Sequence, residues 1–137
     1  MGKNVLTRAP LTLILLLSAV ALTGCSRQPV VTSAKIECHS PNKADYSVKM
    51  YEWKFELVRG KILDVVRSVK GEKGIGYEEI VKQSSSKFSE EEIQQMGGKV
   101  KWFIKTVFLE LEYRKELERF RPWKNSESER LRIGSGS

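Results

Sequence analysis

Two runs of apolar residues at helical spacing decide what most of this chain can become. Tyr51, Phe55, Val58, Ile62, Val65 and Val69 recur at intervals of four, three, four, three and four residues. That spacing lays side chains along one stripe of an α-helix. Lys54, Glu56, Arg59, Lys61, Asp64 and Arg67 supply its wet side, so a helix is expected over residues 50–70. Within residues 99–115, Val100, Phe103, Ile104, Val107, Phe108 and Leu111 cover one face of a second long helix. Trp102, Leu109 and Tyr113 fall on its opposite face beside Lys101 and Lys105. An aromatic stripe on the far side of an amphipathic helix has to meet something. The expectation is the protein's own N-terminal strands, with a partner surface as the alternative.

The segments around these helices are short. Lys35-Ile36-Glu37-Cys38 alternates polar with apolar, Ser40-Pro41-Asn42 reads as a turn, and Tyr46-Ser47-Val48 as a second extended piece. Gly60 costs its helix about 1 kcal/mol relative to Ala and would mark a close approach of another element. Gly71 to Gly76 stops the first helix. Gly74 and Gly76 do not form a dinucleotide fingerprint, because Glu79 stands where the third glycine is needed and would repel pyrophosphate. Tyr77 to Gln83 reads as a two-turn helix offering Ile80 and Val81 to a core, closed by a Ser84-Ser85-Ser86 loop. Ser89 and Glu92, three residues apart, form a capping box that opens a further helix. Interaction with the helix dipole accounts for Glu90, Glu91 and Glu92 without a cation. Gly97-Gly98 breaks that helix. Leu117 to Arg121 and Arg130 to Ile133 are strand candidates around a turn-rich loop at 122–129, and residues 134–137 are expected to fray.

Residues 1–24 have a different character. Lys3 and Arg8 precede twelve uncharged residues, Leu11 to Leu22. A helix of that length reaches only ~18 Å, against a hydrocarbon core of ~30 Å. A basic flank, a short apolar run and small residues after it are the pattern of a secretory signal peptide. Its end, Leu22-Thr23-Gly24-Cys25, resembles the lipobox of bacterial lipoproteins. The resemblance implies cleavage before Cys25, diacylglycerol on its sulfur and a further acyl chain, commonly palmitate, on the new amine. Two or three chains on one residue give a persistent anchor where one holds only marginally. Ser26 follows Cys25 where an Asp would resemble the inner-membrane retention signal, so a Gram-negative host would favour the outer membrane. Residues 26–34 are small and polar and read as a tether.

Processing would leave 113 residues with 22 basic and 17 acidic side chains, a formal charge of +5. The expected order over residues 35–133 is helix, loop, short helix, helix and basic hairpin. This fold class is mainly α with a small β component: a winged helix-turn-helix-like domain of three or four helices plus a C-terminal hairpin. That stretch also resembles a family of small uncharacterised bacterial proteins of the same architecture. Pro41-Asn42, Tyr46, Val48, Tyr51 and the run Gly98 to Val107 carry the likeness, continued by Leu109 to Glu112 and Leu117 to Arg119. It implies a fold and transfers no catalytic residue.

Chemistry-bearing residues are few. His39 and Cys38 are neighbours with no third ligand, and no Ser stands in a nucleophile elbow, so neither a metal, a cofactor nor catalysis is expected. The candidate partner or nucleic-acid surface comprises Lys101, Trp102, Lys105, Leu109 and Tyr113 on the second long helix. Arg119, Arg121, Arg130 and Arg132 on the hairpin complete it. The reading that follows is a lipid-anchored, non-catalytic binding or structural module of the cell envelope, with the membrane and an envelope protein as its partners. The alternative is a winged-helix DNA-binding protein, should residues 1–24 not be a leader, because an exported domain meets no chromosome.

Overall fold

The computed structural model describes residues 34–69, 73–122 and 128–136, which belong to one compact unit of residues 31–137. Cys25, the expected lipobox, most of the expected tether and Trp123 to Glu127 lie outside the described residues. The alternation at Lys35–Cys38 folds as expected into strand β1 (Lys35–Ser40), which turns at Pro41–Asn42 into β2 (Lys43–Tyr51). The strands are antiparallel, pairing Lys35 with Tyr51 and Cys38 with Val48. Ile36 and Cys38 face inward, Lys35 and Glu37 outward.

Helix α1 (Glu52–Ser68) starts where β2 ends. Tyr51, expected in the helical stripe, is instead the last residue of β2, and its side chain is exposed. The pairing with Lys35 holds its backbone extended, which helical periodicity alone does not register. The Ala34 carbonyl accepts a hydrogen bond from Glu52 N–H at 2.9 Å, tying the start of the domain to the same junction. Phe55, Val58, Ile62 and Val65 are buried as expected, and Val69 lies just past the helix end, half-buried. Leu63 and Val66, outside the stripe, are buried too, because α1 is covered on more than one side. Gly60 departs from expectation: a Cβ there would meet nothing within 4 Å, so it marks no close packing.

Helix α2 (Tyr77–Ser85) buries Ile80 and half-buries Val81. It runs through Ser84 and Ser85, expected in a loop, and Ser84 is fully buried. Short α3 (Glu90–Gln95) carries the full capping box. Gly97 and Gly98 both have positive φ, which turns the chain into α4 (Val100–Tyr113). All six residues of the second stripe are buried. Lys115 has φ of 64°, and Glu116 N–H donates to the Leu111 carbonyl at 2.9 Å, a left-handed helix stop made without glycine.

The C-terminal hairpin pairs β3 (Leu117–Phe120) with β4 (Arg130–Ile133), Leu117 opposite Ile133 and Phe120 opposite Arg130. Ile75, in the loop between α1 and α2, adds an antiparallel bridge to Leu131, with N–H···O distances of 3.0 and 2.8 Å. Gly134 and Gly136, expected in a frayed tail, are instead hydrogen-bonded, Gly134 N–H donating to the Glu116 carbonyl at 2.8 Å and Gly136 N–H to the Lys115 carbonyl at 3.2 Å, while Ser137 lies outside the described residues. Helix α1 packs against α2, α4 and β4, and α4 carries β1 on another side. The described residues form a mixed α/β domain of four helices and two antiparallel hairpins around one core.

Candidate interaction surface

The exposed side of α4 is the part of the expected surface that the fold brings together. The apolar stripe points inward, so Lys101, Trp102 and Lys105 point to solvent from its first two turns, with Lys99 just ahead of the helix. Trp102 is 45% exposed although its ring packs edge-on against Phe103 at 4.9 Å between centroids. It borders an open groove with Met96, Gly97, Lys99 and Phe103. None of the three lysines has an ion-pair partner among the described residues.

The other expected residues divide differently. Leu109 is half-buried and borders a cleft of about 240 Å³ with Tyr77, Lys105, Phe108 and Arg119. Tyr113, at the far end of α4, stacks on His39 at 4.8 Å and stays half-exposed. The aromatic stripe therefore meets the N-terminal hairpin at its Tyr113 end, whereas Trp102 remains open.

Arg119 grips Glu112 with both ends of its guanidinium, Nε to Oε1 at 2.5 Å and Nη2 to Oε2 at 3.0 Å, and its Nη1 lies 3.3 Å from Glu129. Arg132 lies 3.4 Å from Glu118 and stacks over Phe120. Two of the four arginines of the expected surface are thus engaged within the fold. Arg121 and Arg130 have no ion-pair partner among the described residues.

Sequence reasoning missed a set of buried carboxylates at the C-terminal end of α4. Glu110, Glu112 and Glu116 are almost fully buried. Glu110 accepts from the His39 backbone N–H and from Arg114 Nε at 2.6 Å, and its Oε2 lies 3.2 Å from His39 Nδ1. Glu116 Oε2 takes Arg59 Nε at 2.8 Å and Nη2 at 2.7 Å. Three carboxylates near a helix C-terminus oppose its dipole. Each is matched by an arginine, and through His39, Arg119 and Arg59 respectively they serve as ties to β1, β3 and α1. The i,i+4 spacing of Glu110 and Arg114 was the one legible signal; Arg59 is 57 residues from its partner.

Cys38 is fully buried. Burial, reinforced by the Glu110 carboxylate, pushes its thiol up to about 11, which leaves a protonated, unreactive side chain near neutral pH. His39 is spent on Tyr113 and Glu110. Among the described residues no cluster of His, Cys, Asp and Glu is placed to hold a metal, and no helix is long and apolar enough to cross a membrane.

The profile of a family of unknown function, DUF6958, matches residues 35–127. No curated protein and no solved structure matches the chain.

Proposed function

The chain belongs to this family of unknown function, and from that premise we propose that it is a lipid-anchored protein of the bacterial envelope whose folded part is a non-catalytic binding module. The observation that carries the reading is the leader: Lys3 and Arg8, an apolar run too short to span, and Leu22-Thr23-Gly24-Cys25 at its end. Acyl chains on Cys25 fix the compartment and thereby the molecules the domain can meet.

The domain itself is read as a winged helix. Support comes from the order α1, Ile75, α2, short α3, α4 and hairpin, and from the Ile75–Leu131 bridge that adds a third, minimal strand to β3 and β4. In that reading α4 is the presenting helix and β3–β4 the wing. Winged helices bind proteins as well as nucleic acids, so the fold leaves the ligand open.

The decisive experiment is metabolic labelling with palmitate and fractionation of cells producing the wild type and Cys25→Ser. The wild type takes up label and partitions with membranes, whereas the variant is unlabelled and mislocalised. Equal labelling of the two proteins overturns the anchor. A second reading, duplex DNA binding by a cytosolic form, is favoured by Lys99 at the start of α4 and Lys101 and Lys105 on its exposed side, none with an ion-pair partner among the described residues. It predicts salt-sensitive duplex binding weakened by Lys105→Glu. A flat titration at low salt removes it.

A further inference from the structure

We propose that the end of the domain where its chain begins is a bilayer-facing surface that docks on the headgroups of an anionic phospholipid membrane; this rests on the lipid-anchor reading. Three elements meet at that end. Lys35, the first residue of β1, holds its ammonium 5.1 Å from the ring of Tyr51, which is 41% exposed. One residue beyond Tyr51, α1 begins, and Lys54 lies over both Trp53 at 5.3 Å and Phe103 of α4 at 5.1 Å. Phe103 in turn carries exposed Trp102, flanked by Lys99 and Lys101. Lys35 beside Tyr51, Lys54 over Trp53 and Phe103, and Trp102 on Phe103 next to Lys101 thus form a chain of lysine–aromatic contacts from the start of β1 through α1 to α4, with Glu52 exposed beside Tyr51. Tyr and Trp rings, apolar in body and polar at the tip, favour the water–lipid boundary, and lysines beside them favour anionic headgroups.

The covalent chain selects this end. Ala34, hydrogen-bonded to Glu52, is only nine residues from Cys25, a reach of at most ~30 Å at ~3.3–3.6 Å per residue. A domain of about 100 residues has a radius of gyration of ~13 Å, so the tether is about as long as the domain is wide. A lipid on Cys25 therefore keeps the Lys35/Tyr51 end near the headgroups far more of the time than the opposite tip of the hairpin. Duplex DNA would also take the lysines, but it gives no part to Tyr51 or to the short tether.

The test uses the native protein extracted from membranes and reconstituted into vesicles of neutral phosphatidylcholine, or of phosphatidylcholine with one third phosphatidylglycerol, each containing shallow-brominated lipid. Quenching of tryptophan fluorescence is expected in anionic vesicles, several-fold weaker in neutral ones and weakened again by high salt. Trp102→Phe removes most of the difference. The pair Lys99→Gln and Lys101→Gln weakens docking by roughly fivefold per lysine. Lys43→Gln, at the opposite tip of the hairpin, changes it less than twofold. Equal quenching in both vesicles, an anionic preference that survives loss of both lysines, or an equal effect from Lys43→Gln overturns the proposal. So does tighter, salt-sensitive binding to duplex DNA through the same two lysines. Absence of lipid mass on Cys25 defeats the anchor separately; cosedimentation of that unlipidated native chain with the same vesicles and variants then decides the docking by itself.

Discussion

A methyl group added at Gly60 would meet nothing within 4 Å, on an exposed turn of α1 with ordinary helical backbone. One added at Gly134 would lie 2.1 Å from the Lys115 carbonyl oxygen and 3.0 Å from its carbon, both backbone atoms that no rotamer can move. The two glycines therefore answer the same substitution with opposite signs. Gly60→Ala is expected to raise stability by about 0.5–1 kcal/mol, because it removes unfolded-chain entropy at no steric cost. Gly134→Ala is expected to lower stability by about 1–3 kcal/mol, because the hairpin's end must move off the α4–β3 turn. Urea unfolding of both variants checks the pair, and equal signs would refute the packing described. Sequence alone could not separate them. Gly60 reads as a possible close approach and Gly134 as the start of a frayed Gly-Ser tail, because each role is set by an element remote in sequence.

Among the elements, α3 shows how local chemistry can be read correctly and still be incomplete. Six residues are too few to stand as a helix alone. The Ser89 hydroxyl accepts from Glu92 N–H at 3.2 Å, and Ser89 N–H donates back to the Glu92 carboxylate at 2.8 Å. That reciprocity was legible from the three-residue spacing. The Lys61 ammonium 2.9 Å from the same carboxylate was not, since Lys61 reads as part of the wet side of α1. The Ser89 N–H first, and then Lys61, hold the Glu92 carboxyl below the ordinary range. A carboxyl lowered in the folded state stabilises above its unfolded pKa and loses that contribution as pH falls through the folded value. Stability is therefore expected to decline as pH drops below about the ordinary carboxylate value. Glu92→Gln is expected to be less stable at neutral pH and to show a shallower acid limb. Ser89→Ala costs about 1 kcal/mol through loss of the cap. Urea midpoints from neutral pH downward test this, and an acid limb for Glu92→Gln as steep as the wild type's would refute it.

At the scale of the whole molecule, α4 holds the domain together in two ways, only one of them visible in the sequence. Its apolar stripe, read from periodicity, is buried residue for residue. Its carboxylates carry no such signal, because periodicity assigns Glu to water and cannot pair Glu116 with Arg59 or Glu112 with Arg119. Folded, Glu110 binds β1 through His39, Glu112 binds β3 through Arg119, and Glu116 binds α1 through Arg59. The same pairing withdraws Arg119 and, through Glu118, Arg132 from the expected ligand surface, which contracts toward Lys101, Trp102 and Lys105. Burial makes the two halves of such a tie unequal. Arg59, about a third exposed, can turn to water when its partner goes, but Glu116, 9% exposed at its side chain, cannot. Arg59→Met strands a buried carboxylate and is expected to cost about 3 kcal/mol, whereas Glu116→Gln, which keeps an acceptor, is expected to cost about 1 kcal/mol. Arg132→Ala, at a looser and more exposed pair, is expected to cost less than about 0.5 kcal/mol. Because the three ties and one core join both hairpins to the helices, far-UV circular dichroism and tryptophan fluorescence are expected to report coincident urea transitions for the wild type and for all three variants. A separate early transition in Arg59→Met would show that the Arg59–Glu116 tie, and not the shared core, couples α1 to the α4–β3 turn, and equal costs for Arg59→Met and Arg132→Ala would remove the buried carboxylates from the account of what fixes α4 in place.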